Sequence, residues 1–341
     1  MRRHAPSVLA VLAVALVAAA ALVAVALWPG AHEARGAAQQ RPVRLVLHWR
    51  PQAQFAAYYV GVDKGIYAAH GLDVTVIPGG PDVDSLVELR EGRADFALAF
   101  LSGALSANDQ GARLVDVCQV INRSSLMLVA WGDEVKEPSD FTGSRVTLWG
   151  MSFRAACEAF FSEAGVHPRI LPQYYTVNLF LRHGAGACSA MEYNEYHTIL
   201  MAGVDPDELE VFAMRDYGLG FPEDGVYTLA STQAKSPQLC ADFAAATMEA
   251  WAYCRDHPDE AVDIAMRETA AAHVPTNRVH QRWMLDHVLA SIFPGEGGSW
   301  TPGKLSRADY ELTRTTMVRQ GQIGGGPLYE QFVAPEARVA P

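Results

Sequence analysis

From residue 43 onward, short β-rich runs alternate with segments of helical spacing, and that alternation confines the chain to an α/β fold with mainly parallel sheets. Residues 43–49, 72–77 and 94–100 read as strands, with helical spacing over 55–70 and 83–91 between them. Two more strands are expected at 115–121 and 125–131, the second leading out of this first unit. A second cycle follows Pro138, with strands at 145–149, 170–175, 188–193 and 208–214 and helices at 152–164, 177–183 and 195–202. A strand at 227–230 returns, and helices over 238–257, 258–267, 277–292 and 307–320 complete the body. The Gly/Pro/Ala-rich tail after Gly324 is expected to be loose.

The amino terminus carries a different message. Met1-Arg2-Arg3-His4 is basic, and an almost unbroken apolar run follows from Val8 to Trp28. As a helix that run would be about 31 Å long, close to hydrocarbon thickness. It reads as an export signal or as a membrane anchor left uncleaved, with the body outside the cytoplasm in either case. The expected plan is therefore 1–30 signal or anchor, 31–42 tether, 43–131 first part of lobe 1, 132–226 lobe 2, 227–324 return to lobe 1, and 325–341 loose tail.

Composition narrows the function. Acidic residues number 38 against 27 basic, a formal charge of −11, so no cationic surplus is available for nucleic acid. The five cysteines, Cys118, Cys157, Cys188, Cys240 and Cys254, contain no C-x-x-C pair and suit buried free thiols. Cys240 and Cys254 fall on one predicted helix about 21 Å apart, too far to bridge. No nucleophile elbow, P-loop, zincin motif or dinucleotide fingerprint has the strand-to-helix context its chemistry needs. His280 and His287 share a helix face without a third ligand, so neither a metal site nor a cofactor is expected.

Aromatic and polar residues instead gather at expected strand ends, where open parallel sheets receive ligands. They are Trp49 and Gln52 with Tyr58 nearby, Phe100 and Ser102, Trp149, then Glu192, Tyr193 and Asn194, and finally Asp224 and Tyr227. Ser102 and Ser152 also fit helix N-caps. Leu89-Arg90-Glu91-Gly92 and Leu181-Arg182-His183-Gly184 are 92 residues apart, which puts Phe100 and Glu192 at equivalent strand ends, by repetition or by chance. Rings from two lobes suit a flat aromatic ligand, with polar groups bonding its edge. Glu192 follows an apolar run, where a carboxylate needs a partner. It is either a ligand group that accepts from an exocyclic amine and a protonated ring nitrogen, or half of a structural ion pair.

Leu45-Val46-Leu47-His48-Trp49-x-Pro51, Gly65-Ile66-Tyr67-x3-Gly71-Leu72-Asp73-Val74 and Gly92-x-Ala94-Asp95-Phe96 resemble the solute-binding proteins of the SsuA/THI5-like (NMT1) group. Glu192-Tyr193-Asn194-Glu195-Tyr196 and Phe221-Pro222-Glu223-Asp224-Gly225-Val226-Tyr227 resemble its ThiY-type branch, which binds thiamine-pyrimidine precursors. The resemblance implies a two-lobed type II periplasmic binding fold that closes on an aminopyrimidine in the interlobe cleft. It also implies an ABC permease and ATPase as partners. By resemblance the ligand contacts are Trp49, Glu192 and Tyr193, then Asp224 and Tyr227. Another aromatic heterocycle such as riboflavin is the alternative ligand, and a sensor or scaffold role is an alternative of another class. The group also holds enzymes that make the pyrimidine from pyridoxal phosphate. Their lysine and histidine positions fall here on Ala99 and Gly103, and their cysteine-rich loop is missing, so a non-catalytic protein is expected.

Overall fold

The computed structural model describes residues 40–295 and 298–339, so the apolar amino-terminal run and most of the expected tether lie outside the described residues. Among the described residues, ten strands form two five-stranded sheets. The first holds β1 (Arg41–Val46), β2 (Leu72–Ile77), β3 (Phe96–Phe100), β4 (Leu114–Gln119) and β10 (Asp224–Leu229), in the order β2-β1-β3-β10-β4. The second holds β5 (Leu126–Trp131), β6 (Arg145–Leu148), β7 (Arg169–Pro172), β8 (Ala187–Met191) and β9 (Leu209–Ala213), in the order β7-β6-β8-β5-β9. The two plans match strand for strand. Each has three parallel strands on one side and one antiparallel strand, β10 or β5, inserted before the last.

That insertion corrects the expected lobe boundaries. All six residues of β5 are buried, and they pair with β8 and β9 rather than with the first sheet. The chain therefore crosses to the second lobe before Leu126, not after Trp131, and it has returned by Asp224. A strand buried on both faces has no period-2 signal to say which sheet it serves. Arg41 and Pro42, expected in the tether, open β1, whose register on β2 runs from Arg41↔Leu72 to Val46↔Ile77.

Local chemistry sets the helix ends. Asp84 accepts from the amides of Leu86 and Val87 and starts Ser85–Arg90; Asn277 does the same for Arg278–Ile292 through the amide of His280. The helix expected over 55–70 is broken into Ala56–Asp63 and Ile66–Ala69, because Gly65 takes φ 68° between them. The tail is not loose. Phe332, Val333 and Ala337 are buried beside Tyr227 and Tyr310, and the backbone bridges Asp116 to Val333 and Leu305 to Arg338. Its Gly/Pro content misleads because a few well-placed apolar residues dock it. All five cysteines are buried and free. Among the described residues no helix is long and apolar enough to cross a membrane.

Candidate functional site

The carboxyl ends of β1, β3 and β6 converge on a cleft between the sheets, of about 1060 Å³. His48, Trp49, Ala99 and Phe100 line it from the first lobe, and Leu148, Trp149, Phe153 and Tyr175 from the second. Strand pairing sets this up, since Asp224 lies directly opposite Phe100 across β10 and β3. Trp49 and Trp149 meet edge-on across the cleft, ring centroids 5.3 Å apart and planes at 90°. Phe100 and Phe153 meet at 4.6 Å. Beyond the tryptophans is a smaller compartment of about 30 Å³, walled by Gln52, Gln54, Met191, Tyr193, Asn194 and Glu195 together with His48, Trp49, Trp149 and Phe153. As it stands it has room for little more than a water molecule, so a heteroaromatic ring enters only if the tryptophans part.

Polar groups on both sides of this compartment are firmly held. From the first lobe, Asp224 Oδ1 lies 2.8 Å from His48 Nε2, and Asp224 Oδ2 accepts from Gln54 Nε2 at 2.9 Å. Gln52 Nε2 donates to Gln54 Oε1 at 2.6 Å. From the second lobe, Glu195 accepts from the amide of Met191 at 2.9 Å and from Asn194 Nδ2 at 2.7 Å. Burial raises the Glu195 carboxyl to about 7 despite those donors. Burial also lifts the Tyr193 phenol well above its ordinary value, with Glu223, Asp224 and Glu195 adding to it.

The expected site residues divide into three groups. Trp49, Gln52, Phe100, Trp149, Tyr193 and Asn194 line the cleft or its inner compartment, and Asp224 stands behind them holding His48 and Gln54. Tyr58, Ser102 and Tyr227 do not line it. Tyr58 is fully buried edge-on to Trp251, and Tyr227 is fully buried against Phe332. Ser102 is buried in the first turn of Leu101–Asp109, whose N-cap is Phe100, so it is no cap either.

Glu192 is the third case, and the structure places it in an ion pair outside both cavities. Its Oε2 accepts from Arg215 Nη1 at 3.1 Å, with Arg123 at 3.8 Å, and its carboxylate lines neither cavity. Arg215 also donates to the carbonyl of Ser124, so the pair braces the segments that cross between the lobes. Glu223, in the returning segment, accepts from Ser124 Oγ at 3.0 Å and from the amides of Ser125 and Leu126 at 2.6 and 3.1 Å. Strand β8 ends at Met191, two residues before the expected end, and the turn that follows carries Glu195 rather than Glu192 to the cleft. Sequence reasoning also missed His48 as a lining residue, although it stands in the strand-end motif, and it missed Gln54 and Phe153.

Comparison with known proteins bears on the family and the fold. A family model described as NMT1/THI5 like matches residues 52–261. The chain is 24% identical over 246 residues to a formylaminopyrimidine-binding protein of Halalkalibacterium halodurans, covering 68% of this chain and 72% of the relative. Its fold is similar to that of the periplasmic aliphatic sulphonate binding protein SsuA from Escherichia coli, with TM-score 0.68, 15% identity and coverage of 88% and 94%. It is also similar to the desulfurization enzyme DSZB, with TM-score 0.57, 12% identity and coverage of 86% and 97%. The architecture is that of type II periplasmic binding proteins, and within it a fold likeness alone does not choose between binding and catalysis.

Proposed function

The chain belongs to the NMT1/THI5-like family, and from that premise we propose that it is an extracytoplasmic solute-binding protein of an ABC importer that closes on a thiamine pyrimidine precursor. The observation that carries this reading is the pairing of Trp49 and Trp149, one indole from each lobe, over a compartment with a held carboxyl group on each side. Indole faces stack on a planar heterocycle, and fixed polar groups bond its edge. The formylaminopyrimidine-binding relative supports the aminopyrimidine class. Trp49, Trp149, Gln52, Phe100, Tyr193 and Asn194 are the proposed contacts, with Asp224 behind them. Closure of the lobes completes the site, and the closed form is what a permease and its ATPase would meet. Catalysis is not part of the proposal.

Isothermal titration with formylaminopyrimidine and aminomethyl- or hydroxymethyl-pyrimidine tests it. Binding in the micromolar range or tighter, about −8 kcal/mol, is expected. Trp49→Ala should weaken it by roughly 2 kcal/mol, about 30-fold. Absence of binding to every pyrimidine removes this ligand class. A second reading has its own observation: a cleft of about 1060 Å³ exceeds what one pyrimidine fills and would admit a larger heterocycle such as riboflavin. Native mass spectrometry of the purified protein separates the two by the mass retained.

A further inference from the structure

A buried relay lies under the first-lobe tryptophan. Asp224 Oδ1 is 2.8 Å from His48 Nε2, while its Oδ2 is taken by Gln54, whose oxygen is in turn taken by Gln52. A carboxylate oxygen only accepts, so the proton of this contact sits on His48 Nε2. In the neutral form of the ring this tautomer leaves the second nitrogen bare. That atom, Nδ1, is buried and has no hydrogen-bond partner, in a side chain only 10% exposed. Its ring neighbours are Phe55 at 5.2 Å, Phe100 at 5.5 Å and Phe153 at 6.2 Å, none of which supplies a donor. Buried polar atoms without partners are uncommon, and one lining a ligand cleft is most simply a group whose partner arrives with the ligand.

We propose that His48 Nδ1 is a hydrogen-bond acceptor reserved for an N–H of the bound heterocycle, and that Asp224 is the positioning residue that fixes the tautomer. The donor's identity as an exocyclic amine rests on the pyrimidine reading above. An amine at that edge gives its hydrogen to Nδ1. An oxo group in the same place turns lone pairs toward a lone pair, and with Asp224 holding the proton on Nε2 the clash is relieved only by a second proton on Nδ1. A site built around one hydrogen bond in this way discriminates because the wrong ligand leaves the buried atom unpaired.

Two measurements test this. Nitrogen-15 NMR of the ligand-free protein should show His48 with a protonated Nε2 and a bare Nδ1, and Asp224→Leu should move the pair of signals toward a mixture of tautomers. A protonated Nδ1 in the wild type overturns the proposal whatever the ligand proves to be. Titration with 4-amino-5-hydroxymethyl-2-methylpyrimidine and its 4-oxo analogue should favour the amine by about tenfold or more. His48→Phe, which keeps a ring against its aromatic neighbours, should bring the two affinities together. Equal wild-type affinities overturn the proposal and leave pyrimidine binding standing. If neither pyrimidine binds and Nδ1 is bare, the pyrimidine reading falls and the acceptor is supported.

Discussion

The Nδ1 atoms of His197 and His280 lie 2.9 Å apart, joining helix Glu195–Met201 of the second lobe to helix Arg278–Ile292 packed on the first. One nitrogen must donate and the other accept, so the contact holds a single proton. The two rings are nearly parallel, with an interplanar angle of 7°, and Trp283 is stacked between His197 and His287. His280 Nε2 also meets Asn194 Oδ1 at 3.0 Å, which links the column to the inner compartment.

This column should weaken in acid. Burial, then the neighbouring His197, pushes His280 down to about 4, and burial followed by His287 lowers His197. An unfolded histidine takes up its proton near 6.5, so between about 6.5 and 4 the unfolded chain binds more protons and stability rises with pH. The contribution is whole above 6.5 and disappears as pH falls through about 4. The wild type's advantage in thermal midpoint over His280→Asn should therefore be largest above pH 6.5 and gone near pH 4. An advantage constant across that range would contradict the assignment.

Glu223 should act in the opposite direction. Burial lifts its carboxyl to about 7, with Asp224 adding to the effect and the Ser125 and Ser124 donors opposing it. Its stabilisation is complete below the unfolded value near 4.5 and is lost as pH rises through about 7. The loss amounts to at most about 3 kcal/mol. Denaturant midpoints of the wild type should fall between pH 5 and 8, while those of Glu223→Gln change less. A variant with the wild-type slope would place the titrating group elsewhere.

Glu192→Gln should leave ligand affinity within about twofold and reduce stability by about 1 kcal/mol or less, as for other half-exposed ion pairs. Calorimetric titration and a melting curve on one preparation decide it. A loss of tenfold or more in affinity would return Glu192 to the ligand.

Phe332→Ala should cost about 3–5 kcal/mol, the range for emptying a buried phenylalanine site. The residue is fully buried beside Tyr227 and Tyr310. Chemical denaturation measures it, and a change below about 1 kcal/mol would mean that the tail does not carry load.

Much of the fold was legible because each strand is a short apolar run closed by a turn residue; Leu72–Ile77 matches its expected limits residue for residue. Strand number and order of appearance follow from that pattern. Sheet membership does not, which is why β5 was expected to leave the first lobe when it belongs to the second. At the candidate site, three of the strand-end aromatic residues, Trp49, Phe100 and Trp149, line the cleft. The signal failed wherever two residues of register mattered. At β8 it chose Glu192 over Glu195, and near β1 and β10 it could not separate Tyr58 and Tyr227, which face the core, from His48, which faces the cleft.

The connectivity of the two sheets bears on how the protein is made. The second sheet comes from one uninterrupted stretch ending at Ala213, whereas β3 of the first waits for β10, which ends at Leu229. About 110 residues separate the end of β4 from the end of β10, roughly 5 to 20 s of synthesis at common translation rates. Throughout that interval β3 has an unpaired apolar edge of the kind that recruits foreign strands. In this design the first sheet is completed only after the whole of the second has been synthesised.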